Sequence, residues 1–222
     1  MIPIRDTIPT RTVPFITYLL LAMNVMVFLY QVQLGGHGES FVYAYGLVPR
    51  RFAVDRIGAA GALLTSMFLH GGWLHLLGNM LYLHIFGDNV EDRVGHLRFL
   101  AMYMLAGIAA GAAQVMIDPA SPVPMVGASG AIAGVTGAYF LFYPRARVLT
   151  AVPVFLFVQL IEIPAFFFLA FWFAFQLMLG VGSLGSQTMG GVAFWAHIGG
   201  FLAGMILGPL LARPRPAARP AW

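Results

Sequence analysis

Long runs of this chain carry no charged side chain, and that constrains its fold more than any other feature. Residues 13–32 are twenty in a row without an Asp, Glu, Lys or Arg, and further uncharged runs cover 63–87, 99–117, 126–143, 164–179 and 192–212. About twenty apolar residues in helical form cross the hydrocarbon core of a bilayer. In that medium every backbone N–H and C=O needs a partner from within the protein, which leaves helices or closed barrels as the spanning structures. The runs do not alternate apolar with polar, so helices are expected. Charged residues make up 9% of the chain and apolar ones 60%, against about 25% charged in soluble domains. The chain is read as an integral membrane protein.

Six spans are expected, at about 13–32, 73–87, 99–117, 126–143, 164–179 and 192–212, in one all-α domain over 1–212. The segment 34–61 mixes Pro49, Arg50, Arg51, Asp55, Arg56 and several glycines and reads as a long first loop with one short amphipathic helix. Residues 118–124, with three prolines, cannot be helical throughout. The run 148–161 is assigned to the membrane interface, the glycine-rich 180–191 to a flexible loop, and the Pro/Arg-rich 213–222 to a disordered cytoplasmic tail.

All twelve basic residues are arginines. With six spans, nine of them (Arg5, Arg11, Arg93, Arg98, Arg145, Arg147, Arg213, Arg215 and Arg219) share the face of the termini, and Arg50, Arg51 and Arg56 lie opposite. This asymmetry places both termini in the cytoplasm, and the all-arginine, alanine- and glycine-rich usage suits a bacterial plasma membrane. Basic residues flanking spans are topology signals, and no clustered basic face suggests nucleic acid. The chain has no cysteine, which excludes disulfides, thiolate chemistry and cysteine-zinc sites.

Even-numbered spans then begin on the outer side, and polar residues gather in their first turns. Span two brings His75 and Asn79, four apart and on one helix face. Span four brings Ser129, in Gly127-Ala128-Ser129-Gly130, and span six brings His197, about 7 to 8 Å below the start of its helix at 1.5 Å per residue. A serine needs a base to take its proton, and imidazole does so near neutral pH. Two donors on one face, His75 and Asn79, suit a developing oxyanion; they equally suit a polar clamp between helices. Gly127 and Gly130 permit a sharp turn and close approach of a substrate. The alternative reading is a packing turn, because Gly130, Gly134 and Ala138 form a small-residue stripe. His197 is either a base or an interhelical hydrogen-bonding residue; Gly200, Gly204 and Gly208 below it give its helix a smooth face for close packing.

Other intramembrane chemistries lack their residues. No H-E-x-x-H motif is present for zinc. Asp6, Asp55, Asp88, Asp92 and Asp118 fall outside the expected spans and Glu162 at a boundary, so neither a carboxylate pair nor a proton-coupled transport path is indicated. For the same reason no third residue is evident to orient His197, and a dyad without metal or organic cofactor is expected.

Four segments in this order, His70-Gly71-Gly72-Trp73-Leu74-His75-Leu76-Leu77-Gly78-Asn79, Gly87-Asp88-Asn89-Val90-Glu91-Asp92, Gly127-Ala128-Ser129-Gly130 and Ala196-His197-Ile198-Gly199-Gly200, resemble the rhomboid family of intramembrane serine proteases over about 63–208. The resemblance implies a six-helix bundle of the bacterial or archaeal type, Ser129 as nucleophile, His197 as base, and an oxyanion site from His75, Asn79 and the Ser129 N–H. It also implies single-span membrane proteins as substrates, cut within the lipid bilayer. Two positions depart from the family pattern: Pro49-Arg50-Arg51-Phe52 lacks the tryptophan of a Trp-Arg pair, and Ala133 stands where some members brace the base with an aromatic. The function expected is a serine endopeptidase; a silent relative that binds membrane helices is the alternative, and a small-solute transporter a more distant one.

Overall fold

The computed structural model describes residues 1–155, 157–184 and 193–213. The expected loop through 185–191, the first residue of span six and the tail beyond Arg213 lie outside the described residues. Strand β1 (Ile2–Asp6) leads into α1 (Phe15–Gln33). Two short helices follow, α2 (Gly38–Tyr45) and α3 (Arg56–Thr65), and then α4 (Trp73–Val94) and α5 (His96–Ile117). After α6 (Ser129–Phe142) come strands β2 (Arg147–Val154) and β3 (Phe157–Pro164), α7 (Ala165–Ser183) and α8 (Phe194–Leu211).

Four of these helices, α1, α5, α7 and α8, are long and apolar enough to cross a membrane, and α3 with α4 meets the same test as a pair bent by 80°. The protein is an integral, multi-pass membrane protein. α4 alone does not meet the test, and its last turns carry Asp88, Glu91, Asp92 and Arg93. It nevertheless runs well past residue 87, the expected end of span two. Glu91, fully buried, accepts from the Ile16 and Thr17 backbone N–H groups at 2.9 and 2.7 Å and from the Thr17 hydroxyl at 2.7 Å, and its carboxylate also meets His96. Thr10 and Thr12 donate to Asp88 and Asp92. These charges are therefore solvated by the N-terminal segment, and Glu91 supplies the acceptors that the first turn of α1 lacks. A single residue, Gly95 at φ +91°, turns the chain from α4 into α5, a conformation that glycine adopts without steric penalty.

The chain is mostly helical rather than all-helical. β1, β2 and β3 form an antiparallel sheet in that order, which corrects the expectation of an all-α chain; the run 148–161, assigned to the membrane interface, supplies most of β2 and β3. Residues 147–164 are rich in Val, Ile and Phe, carry Pro153, and have β1 as a strand partner, with Ile2 opposite Ala151 and Asp6 opposite Val148. β-branched and aromatic side chains suit a half-buried pleated surface. Asp6 at the end of β1 accepts from the Tyr139 hydroxyl of α6 at 2.5 Å and from Asn89 of α4 at 2.9 Å. The backbone N–H of Arg213, past α8, donates to the Arg93 carbonyl. The N-terminal strand and the end of α8 thus gather at the C-terminal end of α4.

α6 is the central helix, buried from Gly130 to Tyr139 and packed most closely on α8, then on α5 and α4. A β-carbon at Gly200 would overlap the carbonyl oxygen of Gly130, and one at Gly204 that of Gly134. The two small-residue faces therefore meet backbone to backbone. Between α1 and α4 the structure has two helices where one was expected. Leu47 in this segment exchanges two backbone hydrogen bonds with Met125, at 3.0 and 2.8 Å, and Ser66 accepts from the Gly127 N–H at 2.9 Å. Leu63 and Met67 fill the faces left open by Gly111 and Gly107 of α5. The segment thus braces the chain as it enters α6.

Candidate active site

The end of the bundle opposite β1 and the last turn of α8 holds the N-terminal turns of α4, α6 and α8. Ser129 is the first residue of α6, whose fourteen residues span roughly 21 Å at 1.5 Å per residue. The helix is shorter than the roughly 30 Å hydrocarbon core. No side chain caps its start, so the backbone N–H groups of the first turn stay free to meet an anion.

Ser129 Oγ lies 2.8 Å from His197 Nε2. Close packing of α6 on α8 makes this possible: with Gly130 against Ala196 and Gly200, nothing bulkier than a hydrogen keeps the two first turns apart. The other ring nitrogen, Nδ1, is 2.8 Å from Gln176 Oε1 on α7. The Trp172 ring, one turn earlier on the same face of α7, sits 5.9 Å from the imidazole between centroids and 6.0 Å from Phe201. α7 braces the imidazole, and Ala133 contributes nothing there beyond a small buried side chain.

His75 and Asn79 face the same place from α4. The Gly71 N–H donates to His75 Nδ1 at 3.3 Å, so the ring proton resides on Nε2. That nitrogen points towards Gly127, where a β-carbon would stand 2.7 Å from it and 3.6 Å from Asn79 Nδ2. Gly127 has φ +125°, so both its backbone conformation and the neighbouring imidazole require a residue without a side chain. Asn79 is 7% exposed, and its Nδ2 has no hydrogen-bond partner among the described residues. A buried amide donor left unpaired is costly, and here it faces the space beside Ser129. The bend before α4 is fixed by Gln31 of α1, whose side chain accepts from the His70 N–H at 3.0 Å and donates to its carbonyl at 3.2 Å.

All five residues singled out in the sequence, Ser129, His197, His75, Asn79 and Gly127, therefore converge on one place. Gln176 and Trp172 were missed. The available signal was slight: Gln176 is the one amide in α7, and Trp172 precedes it by four residues, on the same helix face. No group of three or more His, Asp or Glu side chains among the described residues has the arrangement of a metal site.

A family model described as a Rhomboid domain matches residues 58–214. The chain is 32% identical over 171 residues to RHOMBOID-like protein 5 of Arabidopsis thaliana, covering 77% of this chain and 50% of that protein. It is 37% identical over 126 residues to Rhomboid protease GluP of Bacillus subtilis, covering 56% and 24%. It is 29% identical over 199 residues to the mitochondrial Rhomboid protein 1 of Saccharomyces cerevisiae, covering 87% and 52%. The aligned chain thus spans about half the length of these relatives, or less. The matched region runs from within α3 through α8 and contains Ser129, His197, His75, Asn79, Gly127, Trp172 and Gln176, and on that match the chain belongs to the rhomboid family.

Proposed function

We propose that this protein is an intramembrane serine endopeptidase that cleaves single-span membrane proteins with Ser129 and His197. The observation that carries the reading is the 2.8 Å contact between Ser129 Oγ and His197 Nε2, with a second set of donors, His75 and Asn79, facing the same space from α4. In the acylation step the Ser129 oxygen forms a bond to the scissile carbonyl carbon while its proton passes to His197 Nε2. The carbonyl oxygen takes up the negative charge between the His75 Nε2–H, the Asn79 Nδ2–H and the Ser129 backbone N–H. Collapse of this adduct breaks the C–N bond, and His197 returns the proton to the leaving amine. Water then attacks the serine ester, giving its proton to His197; breakage of the ester bond releases the acid and restores the Ser129 hydroxyl.

Six crossings are proposed: α1, the bent α3–α4 pair, α5, the short α6, α7 and α8. The reactive end faces the outside and both termini face the cytoplasm of a bacterial plasma membrane, in line with the arginine asymmetry. The short α6 sets Ser129 below the membrane surface, so a substrate helix must unwind there to offer an extended backbone, and non-helical backbone at that depth requires a water-lined cavity.

The test is cleavage of a single-span reporter by the reconstituted protein and by its Ser129→Ala and His197→Ala variants. Both substitutions are expected to abolish cleavage, and a fluorophosphonate probe should label Ser129 only while His197 is intact. Cleavage that survives Ser129→Ala removes the proposed nucleophile. A parent that binds the reporter without cutting it is a silent helix-binding relative.

A further inference from the structure

From Ala165 to Leu179, α7 carries one amide among apolar side chains. Gln176 is 8% exposed, and its neighbours from Ala165 to Leu179 are aliphatic, aromatic or methionine. A buried amide in such a helix is costly unless its polar atoms find partners. Gln176 Oε1 lies 2.8 Å from His197 Nδ1, while Nε2 of the same ring lies 2.8 Å from Ser129 Oγ. Amide, imidazole and hydroxyl, drawn from α7, α8 and α6, form one continuous chain.

An amide oxygen only accepts. The Nδ1 that faces it therefore carries the ring proton, and Nε2 keeps its lone pair directed at the Ser129 hydroxyl. The opposite tautomer would set a lone pair against the Gln176 oxygen and an N–H against the hydroxyl oxygen, where it takes up no proton. We infer that Gln176 is the positioning residue of the Ser129–His197 pair, holding His197 as the Nδ1–H tautomer with Nε2 on the serine. The inference rests on the reading of that pair as nucleophile and base.

The amide also acts during reaction. When His197 takes the serine proton it becomes a cation, and the Nδ1–H···Oε1 bond becomes charge-assisted and stronger. Gln176 thereby favours the transition state over the ground state. A carboxylate would give a larger effect at the expense of placing a charge in the membrane domain; an amide supplies the acceptor and stays neutral. Trp172, one turn away on the same helix, limits rotation of the ring that Gln176 orients.

The test combines kinetics and spectroscopy on the reconstituted full chain, using Gln176→Met, Gln176→Glu and Ser129→Ala. Methionine keeps length and apolar fit without a strong acceptor; glutamate restores an acceptor oxygen at the same reach. Gln176→Met is expected to lower kcat by roughly 10- to 100-fold, with KM changed by no more than about twofold. Gln176→Glu is expected to recover most of that loss. In protein carrying 15N-histidine, with the His197 signals identified against His197→Ala, the parent should show the Nδ1–H tautomer and Gln176→Met a mixture. An Nε2–H tautomer in the parent overturns the inference even if every variant misfolds. Parental kcat and an unchanged tautomer in Gln176→Met overturn it as well, while an inactive Ser129→Ala leaves the dyad standing. Cleavage by Ser129→Ala overturns both.

Discussion

Replacing Gly204 by alanine tests whether the α6–α8 contact sets the reactive geometry. Gly204 lies seven residues below His197 on α8, roughly 10 Å along the helix axis. A β-carbon there would overlap the Gly134 carbonyl oxygen and come within 2.6 Å of the Gly134 α-carbon. Non-bonded carbons pack at about 3.5–4.0 Å, so the two helices must separate by about 1 Å. Ser129 and His197 sit in the first turns of those same helices. Their 2.8 Å contact then stretches beyond the roughly 3.2 Å limit of a good hydrogen bond. A displacement of about 1 Å at a catalytic pair costs on the order of 100-fold in rate, and overpacking costs about 1–3 kcal/mol of stability. Gly61→Ala is the control: it lies in α3 with nothing within 4 Å of an added β-carbon, so it should be neutral or stabilising by about 0.5–1 kcal/mol. The assay is reporter cleavage beside thermal unfolding in the same detergent. If Gly204→Ala cleaves and melts as the parent does, backbone contact between α6 and α8 does not set the geometry.

Asn79→Ala should lower kcat by roughly 100-fold, a typical share for one oxyanion donor. Because Asn79 Nδ2 has no partner among the described residues, the melting temperature should not fall with it; a clamp residue would show the reverse. Glu91→Gln removes a buried acceptor of the first turn of α1 and should destabilise the protein by about 2–3 kcal/mol in thermal unfolding, with kcat per folded molecule unchanged because the site lies at the other end of the bundle. Burial raises the Asp6 carboxyl to about 6, with Tyr139 opposing that shift and Asp88 adding to it. Folded protein therefore holds this proton more tightly than unfolded chain: the contribution is full below the ordinary carboxylate range near 4 and lost as pH rises through about 6. Melting temperature measured between pH 4 and 7 should fall with pH through this group, and Asp6→Asn should flatten that part of the curve.

The reach of sequence reasoning differed between elements for physical reasons. α1, α5, α7 and α8 were legible because about twenty uncharged residues have few alternatives to a helix in a bilayer. The small-residue faces were legible because Gly130, Gly134, Gly200, Gly204 and Gly208 repeat at helical spacing, and that spacing alone implies a smooth surface. The sheet was not. Its strands are as apolar as the spans, and β1 lies about 145 residues from its partner β2, so only tertiary pairing distinguishes strand from helix. The C-terminal half-turns of α4 were misjudged for a related reason: Asp88, Glu91 and Asp92 look like a helix end until Thr10, Thr12, Ile16 and Thr17 are seen to meet them.

Gln176 carries little signal in the sequence, because a carboxylate is the familiar group to orient an imidazole. Within a membrane domain that choice is penalised by the desolvation of the charge, and the group that orients the ring must be an acceptor without charge. Asn, Gln, Ser, Thr and backbone carbonyls meet that condition, and α7 offers one amide, 21 residues from His197, at the depth of the dyad. The polar groups at this end of the bundle follow the same rule throughout: Gln31 fixes the backbone of His70, Asn79 faces the reactive space, and Gln176 holds the imidazole, all three neutral amides in buried positions. The buried and half-buried carboxylates Asp6, Asp88, Glu91 and Asp92 gather instead at the opposite end, where threonine hydroxyls and backbone N–H groups of the N-terminal segment meet them, while Glu39, Asp55 and Asp118 are exposed. Among the described residues, buried charge fastens the end that bears β1 and the last turn of α8, and neutral buried amides organise the end that holds Ser129.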